Sequence, residues 1–238
     1  MLKNVVNFVM ASGLAVVLGA CAPDSKKSTE GTNGPHTGPN ILCKSFDVRK
    51  FEYKNGSSYR QRGETETKAY RTRRKISDVT EEFETKGEVN QNLYEIKPDN
   101  SKELDIAVSY TYVATRKTTT VNLGDGQVTE KSTVYKREEA KDGYEFSNGD
   151  PKNPSVRERT QEVEETYVEK NGQRRTIRYV VDGKDMPVSD EVMTITEGGG
   201  VRTEHVKLLK PERMPTTDDG TMTLESSEST CKYLPGSR

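Results

Sequence analysis

Four dipeptides constrain this chain more than any other feature: Asn55-Gly56, Asp125-Gly126, Asn171-Gly172 and Asp182-Gly183. Asn-Gly and Asp-Gly favour the type I′ turn, whose two central residues both need positive φ and whose twist matches a pair of antiparallel strands. Each dipeptide is flanked by runs rich in Val, Thr, Tyr and charged residues, which read as strands. Gly198-Gly199-Gly200 marks a fifth turn. Strands are expected at 104–123, 127–137, 157–181, 189–197 and 201–209, with 141–154 as a loop. The stretch 77–86 is ambiguous, because Val79 and Phe83 fit one face of a helix or alternate positions of a strand. No repeat of 20 to 50 residues is evident. Short strands, tight turns and few helix signals give an all-β chain: an antiparallel meander of hairpins, as an open curved sheet or a partly closed barrel.

The Asn171-Gly172 hairpin can be read in detail. With Lys170 opposite Gln173, Glu169 faces Arg174, Tyr167 faces Thr176, Glu165 faces Arg178 and Val163 faces Val180. Two opposite-charge pairs make that the wet face, and Val168, Arg175, Ile177, Tyr179 and Val181 make the other face the core side. At Asp125-Gly126 the same logic sets Leu123 opposite Val128 and Thr120 opposite Lys131. A two-residue turn at Asn55-Gly56 would oppose Arg49 to Arg62, so a longer loop or a bulge is expected there.

The core must be thin. Only 30% of the chain is hydrophobic, there is no Trp, and 37 Lys and Arg balance 38 Asp and Glu. Balanced charge gives no footprint for nucleic acid. The 11 Tyr and abundant Thr and Val are strand formers, which favours a folded domain with a broad solvated sheet face.

The N-terminus carries an address. Lys3 precedes an apolar run from Val5 to Leu18, which is short for a membrane span and has the form of a secretory signal peptide. Leu18-Gly19-Ala20-Cys21 resembles the lipobox of bacterial lipoproteins: an aliphatic residue and two small ones before an obligatory Cys. The resemblance implies that Cys21 receives a diacylglyceryl thioether, becomes the N-terminus after cleavage and is acylated there. Ala22, rather than Asp, at the next position implies the outer membrane, on its periplasmic face or at the cell surface. Two or three acyl chains make a stable anchor where one does not. Residues 1–20 are therefore read as signal peptide and 21–40 as lipidated Cys plus tether. Residues 41–238 are read as a single antiparallel β domain. The tether is all Pro, Gly, Ser, Thr, Asn and other small or polar residues, too poor in apolar side chains to order itself, and His36 within it reads as solvated.

With Cys21 given to lipid, Cys43 and Cys231 remain, at the two ends of the domain. In an exported chain they are expected to pair, which would put the first and last strands side by side.

The inventory for catalysis is poor. His205 alternates with Thr203 and Lys207 on what reads as a polar strand face. There is no Gly-x-Ser-x-Gly elbow, Cys-x-x-Cys, His-x-x-x-His or phosphate-binding glycine loop. Asp142, Glu145, Asn148 and Asp150 do not fit an EF-hand spacing and read as a plain polar loop. No metal or cofactor is expected. The one concentrated charge is basic. Arg71, Arg73 and Lys75 alternate and so share a strand face, with Arg60 and Arg62 nearby. They are candidate contacts to anionic envelope polymers, although pairing with glutamates on a neighbouring strand explains them better. The sequence thus points to a non-enzymatic, lipid-anchored envelope protein with a structural, surface or binding role. An apolar-ligand carrier built on a barrel or half-barrel, and then a carboxylate-dependent hydrolase, are the alternatives.

Overall fold

The computed structural model describes residues 39–216 and 220–235; the expected signal peptide, Cys21 and almost all of the expected tether lie outside the described residues. Among the described residues are twelve strands: β1 (Ile41–Tyr53), β2 (Ser58–Lys75), β3 (Thr80–Ile96), β4 (Lys102–Gly124), β5 (Gln127–Ala140), β6 (Val156–Lys170), β7 (Gln173–Val181), β8 (Lys184–Met186), β9 (Glu191–Gly198), β10 (Val201–Leu208), β11 (Glu212–Pro215) and β12 (Gly220–Tyr233). All pair antiparallel. The ring runs β1-β2-β3-β4-β5-β6-β7-β9-β10-β12 and closes through β12 onto β1. The meander is therefore a closed ten-strand barrel, and the open curved sheet is not what forms. β8 folds back to pair with the end of β7, and β11 pairs with β12 beside the ring.

The turn chemistry works as expected at three dipeptides. Asp125 and Gly126, Asn171 and Gly172, and Asp182 and Gly183 all have positive φ. At Asn55-Gly56 the loop is longer: Tyr53 N–H donates to the Ser57 carbonyl, and Arg49 faces Gln61 rather than Arg62. The ambiguous stretch 77–86 is a turn followed by β3.

Four register shifts interrupt the ladders of the described strands, at Val48/Arg49, Leu93/Tyr94, Asn122/Gly124 and Thr166/Tyr167, and the last two alter the hairpins read above. In β4 a bulge between Asn122 and Gly124 sets Val121 opposite Thr129 and Thr119 opposite Lys131. In the β6–β7 hairpin, Glu169 faces Arg174 and Tyr167 faces Thr176. An irregularity at Thr166/Tyr167 then sets Thr166 opposite Arg178, Glu165 opposite Tyr179 and Val163 opposite Val181. The face assignment of this hairpin is also reversed along β6 and in β7 as far as Thr176, while Arg178 beyond it is exposed as expected. Tyr167 and Arg174 are buried inside the barrel, whereas Ile177 is half exposed and Arg175 is exposed.

Cys43 and Cys231 are directly opposite on β1 and β12 and form a disulfide with a Cα–Cα distance of 4.1 Å. Around it, on the inner face, lies the apolar cluster of Ile41, Ala69, Val89, Tyr112, Ala114 and Tyr233. The loop 141–155 brings Phe146 against Tyr110, edge to face at 5.9 Å, next to the ends of β5 and β6. The ladder is thinnest between β7 and β9, where only Gln173–Thr194 and Arg174–Met193 pair, supported by Ile195 N–H donating to the Gly172 carbonyl.

Candidate functional site

Alternation along the strands sends one set of side chains into the barrel and the other to its outer wall. Here both sets are strongly charged. Inside, three glutamates are each no more than 2% exposed: Glu130 on β5, Glu138 on β5 and Glu204 on β10. Glu130 accepts a hydrogen bond from the Tyr167 hydroxyl at 2.9 Å and has Arg116 at 3.5 Å and Arg174 at 4.0 Å. Arg174 also pairs with Glu165 at 3.2 Å and stacks on the Tyr167 ring, 3.3 Å from its centroid. Arg116 donates to the Thr118 and Ser132 hydroxyls, both at 3.0 Å. One charged network thus joins β4, β5, β6 and β7.

A second group is built on Glu138. It pairs with Lys136 at 2.6 Å and accepts from Arg157 Nε, while Lys136 lies over Tyr112 and Arg157 over Phe146. A third pairs Glu204 with Arg202 at 2.8 Å, and a fourth Asp47 with Arg49 at 2.6 Å.

Burial sets the titration behaviour of these groups. It pushes Glu130 above the usual carboxylate range despite Arg174 and Arg116. It pushes Glu138 up too, but the Arg157 hydrogen bond and the Lys136 charge outweigh it and hold that carboxyl below its ordinary value. Lys136 is lowered, by burial, even beside Glu138. Burial raises the Tyr110 and Tyr112 phenols to about 12.

Chemically, this is a set of cross-links. Glu130 and Glu165 are opposite each other on β5 and β6, the sort of carboxylate pair that acid–base chemistry uses. Arginine nitrogens and a tyrosine hydroxyl hold these two, and Glu130 is sealed from solvent. Sequence reasoning missed every one of these inward glutamates. The signal was present, in Glu and Arg at matched registers around Asn171-Gly172, but it was assigned to the solvent face.

The basic stretch is divided between the two walls. Arg60 and Arg62 face outward: Arg60 grips Glu225 through Nε at 3.0 Å and Nη2 at 2.6 Å, and Arg62 pairs with Glu64 at 2.7 Å and covers Phe46. Arg71 and Arg73 face inward. Arg71 is buried between the Phe83 and Tyr233 rings, 5.0 and 4.9 Å from their centroids, and Arg73 pairs with Glu81. Lys75 pairs with Asp78 at 2.8 Å. The shared alternation of Arg71, Arg73 and Lys75 is as expected, and glutamate or aspartate partners occupy four of the five residues. His205 sits between Glu228 and Thr230 on a polar face. In the 141–155 loop, Asp150 accepts from the Lys152 N–H and Asn148 from Arg157.

The outer wall continues the pattern with Arg74–Glu82, Lys131–Glu164, Arg178–Glu164, Arg137–Glu158 and Lys141–Glu88.

No protein-family model matches the chain, and no curated protein matches it significantly. Among solved structures it is similar to the translocator domain of the autotransporter NalP from Neisseria meningitidis. The identity is 11% over 84% of this chain and 90% of that one, with a TM-score of 0.36. It is also similar to a deletion mutant (deltaS2S3) of the monoaromatic hydrocarbon channel TodX. There the identity is 9% over 75% of this chain and 51% of that one, with a TM-score of 0.27. The chain thus spans about half the length of that channel. Superposition this loose carries no role across to the present barrel.

Proposed function

We propose that this chain is a non-catalytic, lipid-anchored barrel of the bacterial envelope, held at the outer membrane through Cys21, with the barrel itself in water and a structural, surface or binding role. The outer wall carries this reading. A barrel embedded in lipid needs an apolar outer band about 25 Å tall, and an Arg or Lys facing lipid at the midplane costs about 2–4 kcal/mol. Rows of Arg, Lys and Glu run along β2, β3, β5 and β6 where that band would lie. The interior weighs against an apolar-ligand carrier, since Glu130, Arg174, Glu138, Lys136 and Glu204 occupy the positions an apolar lining would need.

The test uses the protein in its own membranes. Mass analysis of the mature N-terminus should find acylated Cys21. Cleavage within residues 22–38 should then release the folded barrel into detergent-free buffer. An unmodified Cys21 overturns the anchor, and a barrel that stays in the bilayer through an alkaline wash after cleavage overturns the aqueous barrel.

A further inference from the structure

The described chain enters the barrel at one particular end. Asn40 is fixed there, donating its backbone N–H to the Ala69 carbonyl at 2.9 Å and its side-chain amide to the Arg71 carbonyl. The turns at that end are 76–79, 125–126, 171–172 and 199–200, because β1 starts where β2, β4, β6 and β9 finish. The 76–79 turn is tied to the last residues of β4, where Thr120 N–H donates to the Val79 carbonyl at 2.8 Å. At this tip Ile76 and Val79 on the turn, and Val121 and Leu123 in the last residues of β4, are 47%, 54%, 44% and 56% exposed. The neighbouring charges are matched, Lys75 with Asp78 and Arg74 with Glu82. Asp125, on the β4–β5 turn, adds one exposed acidic group beside these apolar side chains.

Scattered surface leucines need no explanation, but large apolar side chains gathered at one end of a barrel mark a contact surface. The chain path decides which partner. Eighteen residue steps separate Cys21 from Pro39, so an anchor at Cys21 holds this end within about 60 Å of the bilayer even at full extension. Tethering raises the effective concentration of surface and tip, so a weak interfacial contact suffices. We propose that this end of the barrel docks on the lipid surface, with Ile76, Val79, Val121 and Leu123 seated at the boundary of headgroups and acyl chains. The proposal rests on the anchor reading.

The absence of Trp makes the test clean. Leu123→Trp places a single reporter at the docking tip. Leu104→Trp places one on an equally exposed apolar position near the start of β4, at the opposite end. The full lipidated protein is reconstituted on vesicles whose lipids carry bromine on their acyl chains. The expected result is a blue shift and loss of emission for Leu123→Trp, with Leu104→Trp unchanged. Equal emission from the two in protein that floats with the vesicles overturns docking and leaves the anchor intact. Protein that does not float overturns the anchor reading, and docking with it.

Discussion

Breaking the Cys43–Cys231 bond should destabilise the barrel without opening it. The bond joins residues 188 apart in sequence. On the chain-entropy argument, releasing a loop of that length from the unfolded state costs about 5 kcal/mol of stability. The native side should change little, since β1 and β12 stay hydrogen-bonded from Ile41–Tyr233 to Tyr53–Gly220 with or without the sulfurs. The measurement is urea unfolding of three samples: oxidised wild type, reduced wild type, and the Cys43→Ala/Cys231→Ala variant. The reduced and variant proteins should both lose close to 5 kcal/mol, equivalent to about 10–20 °C in Tm for a domain of this size. Their denaturant slope should rise, because an unfolded chain without the cross-link exposes more surface. Hydrogen exchange along β1 and β12 should remain slow. A loss under about 1 kcal/mol, or an unchanged slope, would refute the entropic account. Rapid exchange confined to β1 and β12 after reduction would show instead that the sulfurs hold the native seam.

Two other substitutions test the interior. Glu138→Gln leaves Lys136 and Arg157 facing each other without a counter-charge and should cost about 3–5 kcal/mol at neutral pH in urea unfolding. Because Glu138 is held below its ordinary value, its contribution is fully present above about pH 4.5 and is lost as pH falls through the lower folded value; the Gln variant should lack that part of the acid limb. At Gly87, a Cβ would stand 2.7 Å from Tyr112 Cε1, 2.8 Å from Ala69 Cβ and 2.9 Å from the Lys68 carbonyl, so Gly87→Ala should cost about 1–3 kcal/mol in thermal unfolding despite its small size.

Much of the architecture was legible. The Asn-Gly and Asp-Gly dipeptides located the hairpins, and the two domain cysteines located the closing seam. Those signals are local or arithmetic, and they survive whatever the strands pack against. Which face points inward was not legible. The rule that apolar residues face the core has a sign only when one face is more apolar than the other. Around Asn171-Gly172 that difference was slight, and it pointed the wrong way. A ring of ten strands encloses space enough for long side chains in pairs, so Arg174 can turn inward onto Tyr167 while Ile177 is left half exposed. The bulges were illegible for a related reason. One inserted residue exchanges the faces of everything beyond it, and nothing in Ile177 or Leu123 announces it.

The position of the charged network suggests why the chain keeps it. Buried ion pairs stabilise poorly, because desolvation offsets most of their attraction, but they are selective about geometry. The barrel has one joint where backbone pairing is nearly absent, between β7 and β9, and Arg174 lies in it. That residue pairs with Met193 across the joint through its backbone. Its guanidinium is held from behind by Glu165 on β6 and faces Glu130 on β5. The start of β7 is thereby fixed relative to two preceding strands independently of β9. An apolar residue in its place would fill the space without fixing that angle, and a strand with only two partners across the joint has little else to set its register. One inward charge, costly in a conventional core, thus stands where the hydrogen-bond ladder is weakest and side-chain geometry must specify closure.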